Sequence, residues 1–147
     1  KAKERIWYGI SMCSILKIAE EELEFITGEK NIESGVKKIR QKYEIPLITV
    51  TKGKEGSCCF YKKDNIELKA EVPTFKKVKT IDTTGAGDTF CACILHDILE
   101  NGYESFTEER LTQMLTFANA ASSLITTKKG ALCVMPEKEE IEKLIEG

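Results

Sequence analysis

The residues best suited to chemistry form one run, Asp82-Thr83-Thr84-Gly85-Ala86-Gly87-Asp88-Thr89-Phe90. A β-prone stretch with Val78, Thr80 and Ile81 leads into it. After Phe90 the apolar residues recur at Ile94, Leu95, Ile98 and Leu99, the one-faced pattern of an amphipathic helix, and Asn101-Gly102 supplies a stop. Two glycines and an alanine are therefore expected where a strand end turns into a helix N-terminus. The first turn of a helix leaves backbone N–H groups without partners, and the helix dipole favours negative charge there. With nothing larger than a methyl in the way, a phosphoryl-sized anion can approach the amides of Gly85, Ala86 and Gly87. Asp88 admits two readings. A carboxylate in a first helical turn complements the dipole. Beside an anion hole, a carboxylate is also placed to act as general base when a hydroxyl attacks a phosphoryl group. On shape alone a tight structural turn remains the alternative, because glycine-rich turns are common.

The elements around this run read as alternating strands and helices. Ser14 to Ile18 predicts a short buried strand, and Ala19 to Thr27 a short acidic helix ended by Gly28. Glu20, Glu21 and Glu22 crowd its first turn, which suits the dipole without any further role. Asn31 is an N-cap candidate for a helix over Ile32 to Tyr43, with Ile32, Val36, Ile39 and Tyr43 on one face. Beyond Pro46, Leu47 to Thr51 is the apolar, β-branched run of a strand covered on both faces. Thr51-Lys52-Gly53-Lys54-Glu55-Gly56-Ser57 lacks the Gly-Lys-Ser/Thr ending of a P-loop, and a hairpin is the default reading. Ser57 to Tyr61 and Ile66 to Val72 follow as a strand pair about a Lys62–Asn65 turn; Lys76, Lys77 and Lys79 then form a basic link. Thr107 caps a long helix to about Thr126 with Leu111, Met114, Leu115, Ala118, Ala121, Ser122 and Ile125 on one face. A short strand over Leu132–Met135 and a final helix with Pro136 at its first position complete the chain. Helix, turn, buried strand is the grammar of a doubly wound α/β fold with a mostly parallel sheet and an appended β-hairpin.

The 147 residues suffice for one domain with a real core. The formal net charge of −2 gives no broad electrostatic case for nucleic acid or a membrane surface. No apolar run approaches a bilayer-spanning length. The N-terminus, Lys-Ala-Lys-Glu-Arg, does not read as a secretory signal, so a cytoplasmic setting is expected. The absence of an initiator Met, and an opening partway into a helix or connection, suggest a fragment. Six cysteines at 13, 58, 59, 91, 93 and 133 include no Cys-x-x-Cys pair. Cys58 and Cys59, adjacent in a strand, should face opposite ways, and buried reduced thiols are the expected state. His96, the single histidine, reads as a helix surface residue.

The run 82–90 resembles the C-terminal signature of the ribokinase-like, PfkB-type carbohydrate kinases. The resemblance extends in order from about residue 14 to 145, through Lys17-Ile18-Ala19-Glu20-Glu21-Glu22, Thr51-x-Gly53-x-x-Gly56, Phe117-Ala-Asn-Ala-Ala121 and the loop 126–131. It implies ATP-dependent phosphorylation of a small sugar, with Asp88 as catalytic base and the Gly85–Gly87 backbone as anion hole. It implies further that Thr51, Gly53 and Gly56 lie against the nucleotide, that Asn119 sits near the base, and that the loop holding Gly130 closes around adenine. Glu22 is implied in organising magnesium, and Asp82 and Thr84 in ordering the turn and a monovalent-cation site, such as one for potassium. Ala19 stands where the family's motif carries Asn; the resemblance implies a small residue there in fructokinase-like members too. The match covers only the family's C-terminal half; nothing here resembles the lid and sugar-binding half. A fructokinase-like enzyme is the leading expectation, with ribose, nucleoside and sugar-phosphate kinases as rivals. The alternatives for the chain alone are an ATP-binding module inactive by itself, or a piece that pairs with another chain through an open sheet edge, a homodimer included.

Overall fold

The computed structural model describes residues 1–75 and 78–147; Lys76 and Lys77 of the basic link lie outside the described residues. Four strands, β1 (Ile15–Ala19), β2 (Leu47–Thr51), β3 (Ser57–Lys63) and β4 (Ile66–Val72), form one sheet in the order β1-β2-β3-β4. Helices α1 (Ala2–Ile10), α2 (Glu20–Thr27) and α3 (Ile32–Arg40) precede β2, and α4 (Ala86–Asn101), α5 (Glu108–Ile125) and α6 (Lys138–Glu146) follow β4. No helix among the described residues is long and apolar enough to cross a membrane.

The expected α/β architecture is present, but the sheet is mixed and not mostly parallel. Only β1 and β2 run parallel; β2–β3 and β3–β4 are antiparallel. The connections decide this. A helical crossover through α2 and α3 returns the chain to the same end of the sheet, whereas the turns at Gly53–Glu55 and Asp64–Asn65 are too short to do so.

Alternation along the strands sends side chains into two cores. Leu16, Ile18, Ile48, Val50, Cys58 and Phe60 pack with Leu23, Ile26, Val36 and Ile39 of α2 and α3. The opposite face sends Leu47, Cys59, Tyr61, Ala70 and Val72 against Phe90 and Ile94 of α4 and Leu111, Met114, Leu115 and Ala118 of α5. β2 is buried on both faces, as its unbroken apolar run requires. Cys58 and Cys59 fall in opposite cores, as strand geometry demands, and all six cysteines are free; Cys133 differs from the expectation in being exposed.

Local signals explain the helix ends. Asn31 Oδ1 accepts from the Ser34 N–H at 3.0 Å, and Thr107 Oγ1 accepts from the Arg110 N–H at 3.1 Å. Gly28 closes α2 in the left-handed region. α3 stops at Arg40, three residues short of Tyr43, because the Lys42 and Tyr43 N–H groups both fold back on the Ile39 carbonyl.

Four further details depart from the sequence pattern. The 78–81 run is not a strand: Ile81 donates its N–H to the Thr126 carbonyl at 2.7 Å, so α5 and not the sheet takes that bond. Leu132–Val134 is a turn of 3₁₀ helix, not a strand. Pro136 lies one residue before the cap and not at the first helical position: Glu137 caps α6, which begins at Lys138, and the Glu140 carboxylate accepts from the Glu137 N–H at 2.9 Å. On α4, Ile94 is buried but Leu95 and Leu99 are exposed, because α5 and the sheet cover a narrower stripe than the periodicity suggests.

Candidate active site

The glycine turn is built by its own side chains. Asp82 Oδ1 accepts from the Thr84 N–H at 2.9 Å and the Thr84 hydroxyl at 2.7 Å, folding 82–84 into an Asx-type turn. These bonds, aided by the nearby Gly130 backbone, hold the Asp82 carboxyl below its ordinary range. Gly85 then takes φ +82° as the residue before α4, and a Cβ there would lie 3.1 Å from the Ala131 Cβ. Both the left-handed backbone and the close approach call for glycine. The Ser122 hydroxyl donates to the Ala86 carbonyl at 3.0 Å and fastens the turn to α5.

The amides do not all remain open. Ala86 donates its N–H to the Thr83 carbonyl at 3.2 Å, and Thr89 to Gly85 at 2.9 Å. Among the described residues the N–H groups of Gly85, Gly87 and Asp88 have no protein acceptor. The free set is thus shifted from the expected Gly85–Gly87, because the turn uses its middle amide for its own closure. Asp88 is exposed in the first turn of α4, and its carboxylate takes no hydrogen bond from the described residues.

A cleft of about 650 Å³ opens beside this turn, with Thr83, Ala86, Gly87 and Phe90 on its wall. Thr51, Gly53 and Gly56 from the β2–β3 connection and Asn119 from α5 share the same wall, so residues distant in sequence face one space. Gly56 needs φ +102°, and its Cα–H face abuts the Val72 carbonyl, where a Cβ would sit 2.1 Å away. Asn119 is only 5% exposed. Its Oδ1 accepts from the Ser57 hydroxyl at 2.9 Å, and its Nδ2 donates to the Val72 and Pro73 carbonyls at 3.1 and 3.2 Å. The side chain expected near the base therefore also ties β3, the end of β4 and α5 together.

The remaining expected residues stand apart from that wall. The Gly130 backbone lies near enough to Asp82 to help lower its carboxyl, so Asp82, Thr84 and Gly130 form a second cluster where the loop after α5 meets the turn. Glu22 Oε2 accepts from the Ala19 N–H at 2.8 Å, half of a capping box whose other half Ala19 cannot supply. Its neighbour Glu21 lines the cleft instead. Lys54, Phe75, Ser122 and Ser123 also line it. Nothing in their spacing marked them beforehand; only packing brings them to one surface.

A family model, "pfkB family carbohydrate kinase", matches residues 2–138. The chain belongs to that family. Curated relatives include fructokinase-1 of Zea mays, 38% identical over 141 residues that cover 96% of this chain and 41% of the maize protein. Fructokinase-1 of Oryza sativa subsp. japonica is 36% identical over 147 residues, 100% of this chain and 44% of the rice protein. Among solved structures, a Vibrio cholerae O395 fructokinase with bound fructose, ADP and calcium superposes with a TM-score of 0.80 at 28% identity, over 97% of this chain and 44% of that one. Arabidopsis thaliana ribokinase complexed with ribose and ATP gives 0.77 at 29% identity, over 94% and 42%. The fold of this PfkB-family chain is accordingly ribokinase-like, and the chain spans less than half the length of these four relatives.

Proposed function

We propose that this PfkB-family chain is the C-terminal, nucleotide-binding and catalytic part of an ATP-dependent sugar kinase acting on fructose or a close analogue. The observation that carries the reading is the meeting, at one cleft, of Gly87 at the start of α4, whose N–H is open, with the Thr51–Gly56 connection and Asn119; Gly85 and Asp88 flank it in sequence without lining the cleft. The relatives' fructokinase names favour fructose over ribose, a nucleoside or a sugar phosphate.

In this mechanism ATP lies along the wall from Thr51 and Gly56 to the glycine turn. The Gly85, Gly87 and Asp88 N–H groups receive charge developing on the transferring phosphoryl group. Donors of this kind, fixed before reaction, are each worth about 2.7–4 kcal/mol where one has been removed from an oxyanion hole. Asp88 takes the proton from the attacking sugar hydroxyl. Its exposed position in the first turn leaves the carboxylate free for a substrate on the open side of α4.

No group of three or more metal-ligating side chains exists among the described residues. That sparseness fits magnesium, which is commonly held by phosphate oxygens and water with one or two carboxylates. Glu22, with one oxygen committed to Ala19, and Glu21 on the cleft wall are the residues suited to orient its water shell. When bound with the nucleotide, magnesium supplies neutralisation of phosphate charge. The Asp82–Thr84–Gly130 cluster is the proposed place for a monovalent cation such as potassium. A cytoplasmic location, where ATP and reduced thiols are found, belongs to the same reading.

For the 147 residues alone, ATP binding with little turnover is expected, because Asp88 stands exposed to water and nothing described here positions a sugar. The test is the whole enzyme carrying Asp88→Asn. Its kcat should fall by about 10²–10⁴-fold while the KM for ATP is retained. Near-unmutated turnover with intact ATP binding would overturn the base assignment.

A further inference from the structure

The connection between β2 and β3 stands between two cavities. Thr51, Gly53, Lys54 and Gly56 line the cleft of the candidate site. Lys52 and Glu55 line a second cavity, of about 360 Å³, together with Cys58, Lys69 and Glu71. Strand alternation accounts for the division. Glu71 lies opposite Cys58 of β3, on the sheet face that packs against α2 and α3 and away from α4 and α5. Lys52, whose side chain is 10% exposed, pairs there with the Glu71 carboxylate.

This pair fastens a loose piece of backbone. Gly53 and Gly56 take φ +54° and +102°, and glycine backbone is conformationally permissive. The bonds within residues 52–56 are local: Lys52 N–H to the Gly56 carbonyl at 2.8 Å, Glu55 N–H to the Lys52 carbonyl at 3.0 Å and Gly56 N–H to the Gly53 carbonyl at 3.3 Å. They set the shape of the connection, and the packing of Gly56 on the Val72 carbonyl sets its far end. The near end is left to Lys52. Lys54 and Glu55 form no ion pair among the described residues. Lys69, the neighbouring lysine on the same face of β4, is held by Glu33, which leaves Glu71 to Lys52. The hydrogen bond between the two holds the Glu71 carboxyl below its ordinary range and the Lys52 ammonium above its own.

We propose that Lys52 is a positioning residue for the nucleotide: paired with Glu71 behind the β2–β3 connection, it holds Gly53 and Gly56 at the cleft without touching the ligand itself. The inference rests on the kinase reading above and deepens it, by naming what sets the wall on which ATP lies. With the pair open, the connection leaves its binding-competent place part of the time, and apparent affinity falls by that fraction. The Glu71 side chain is 54% exposed, so the pair is partly screened by water and the change in affinity is several-fold and not thousandfold.

The test uses Glu71→Gln, which keeps the shape of the side chain and removes its charge. In the whole enzyme it should raise the KM for ATP about three- to tenfold, leave the KM for the sugar unchanged and keep kcat within about twofold. Exchanging the pair, Lys52→Glu with Glu71→Lys, should bring the ATP KM back to within about twofold of the unmutated value. A merely structural role gives a lower urea midpoint with both KM values rising together. That outcome, or an unchanged ATP KM in Glu71→Gln, overturns the proposal and leaves the kinase reading standing. If the unmutated enzyme forms no sugar phosphate from ATP, the kinase reading falls by itself, and the dissociation constant of the 147-residue chain for ATP decides this one. Glu71→Gln should weaken that constant by the same factor; equal constants in the two chains, or no binding by either, overturn the proposal.

Discussion

Replacing Asn119 separates a structural wall from a base-reading side chain. Asn119→Ala removes three hydrogen bonds at once, and it strands the fully buried Ser57 hydroxyl and the carbonyls of Val72 and Pro73. A net intramolecular hydrogen bond contributes about 1 kcal/mol, while an abandoned buried partner costs about 1–3 kcal/mol. Pro73 is exposed and its carbonyl can regain water, so Ser57 and the buried Val72 carbonyl bear the larger figure. The sum is a loss of about 3–7 kcal/mol, a large share of the roughly 5–15 kcal/mol that holds a domain together. Urea unfolding followed by far-ultraviolet circular dichroism reads this as a lower midpoint at unchanged slope. Asn119→Asp keeps the shape but presents a carboxylate to two carbonyl oxygens, and at neutral pH it should destabilise at least as much. A loss below about 0.5 kcal/mol for Asn119→Ala would refute the reasoning. If ATP affinity collapsed at the same time, Asn119 would be a reader of the base and not the tie between β3, β4 and α5.

Three further outcomes follow from the same packing. Gly56→Ala must displace the Val72 carbonyl and adopt φ +102°, whereas Gly53→Ala, at φ +54°, meets nothing within 4 Å. The first should cost about 2–5 kcal/mol and the second about 1 kcal/mol, and equal melting midpoints would contradict the packing at the β2–β3 connection. Burial raises the Cys58 and Cys93 thiols to about 11 and the Cys59 thiol to about 12, from 9.0. Because the folded values lie above the unfolded one, this contribution is intact below pH 9.0 and is lost as pH rises toward about 11–12. Denaturant midpoints should therefore fall across that window. At pH 8, maleimide should label exposed Cys133 well before Cys58 or Cys59, and comparable labelling rates would contradict the two buried cores.

Where local chemistry acts within a few residues, the sequence was sufficient. Asn31 and Thr107 cap because their side chains reach an N–H three residues on, and Gly28 and Gly102 stop helices by taking positive φ. The opposite destinations of Cys58 and Cys59 follow from the pleat alone. The Asp82–Asp88 run announced its turn because each bond within it spans few residues. Tertiary structure decided everything that required a partner from elsewhere. Val78–Ile81 has strand-forming residues but no neighbouring strand, and the Ile81 N–H goes to the Thr126 carbonyl instead. Leu95 and Leu99 fit a helical stripe yet stay exposed, since the covering surface ends at Ile94 and Ile98. The engagement of Asn119 with residues near 57 and 72, and the meeting of Lys17 with Gly87, span 46 to 70 positions of chain and depend on how the sheet packs on α4 and α5. Periodicity reports which face of an element prefers burial, but it carries no information on which distant group will occupy the space beyond that face, and the candidate site is made of such encounters.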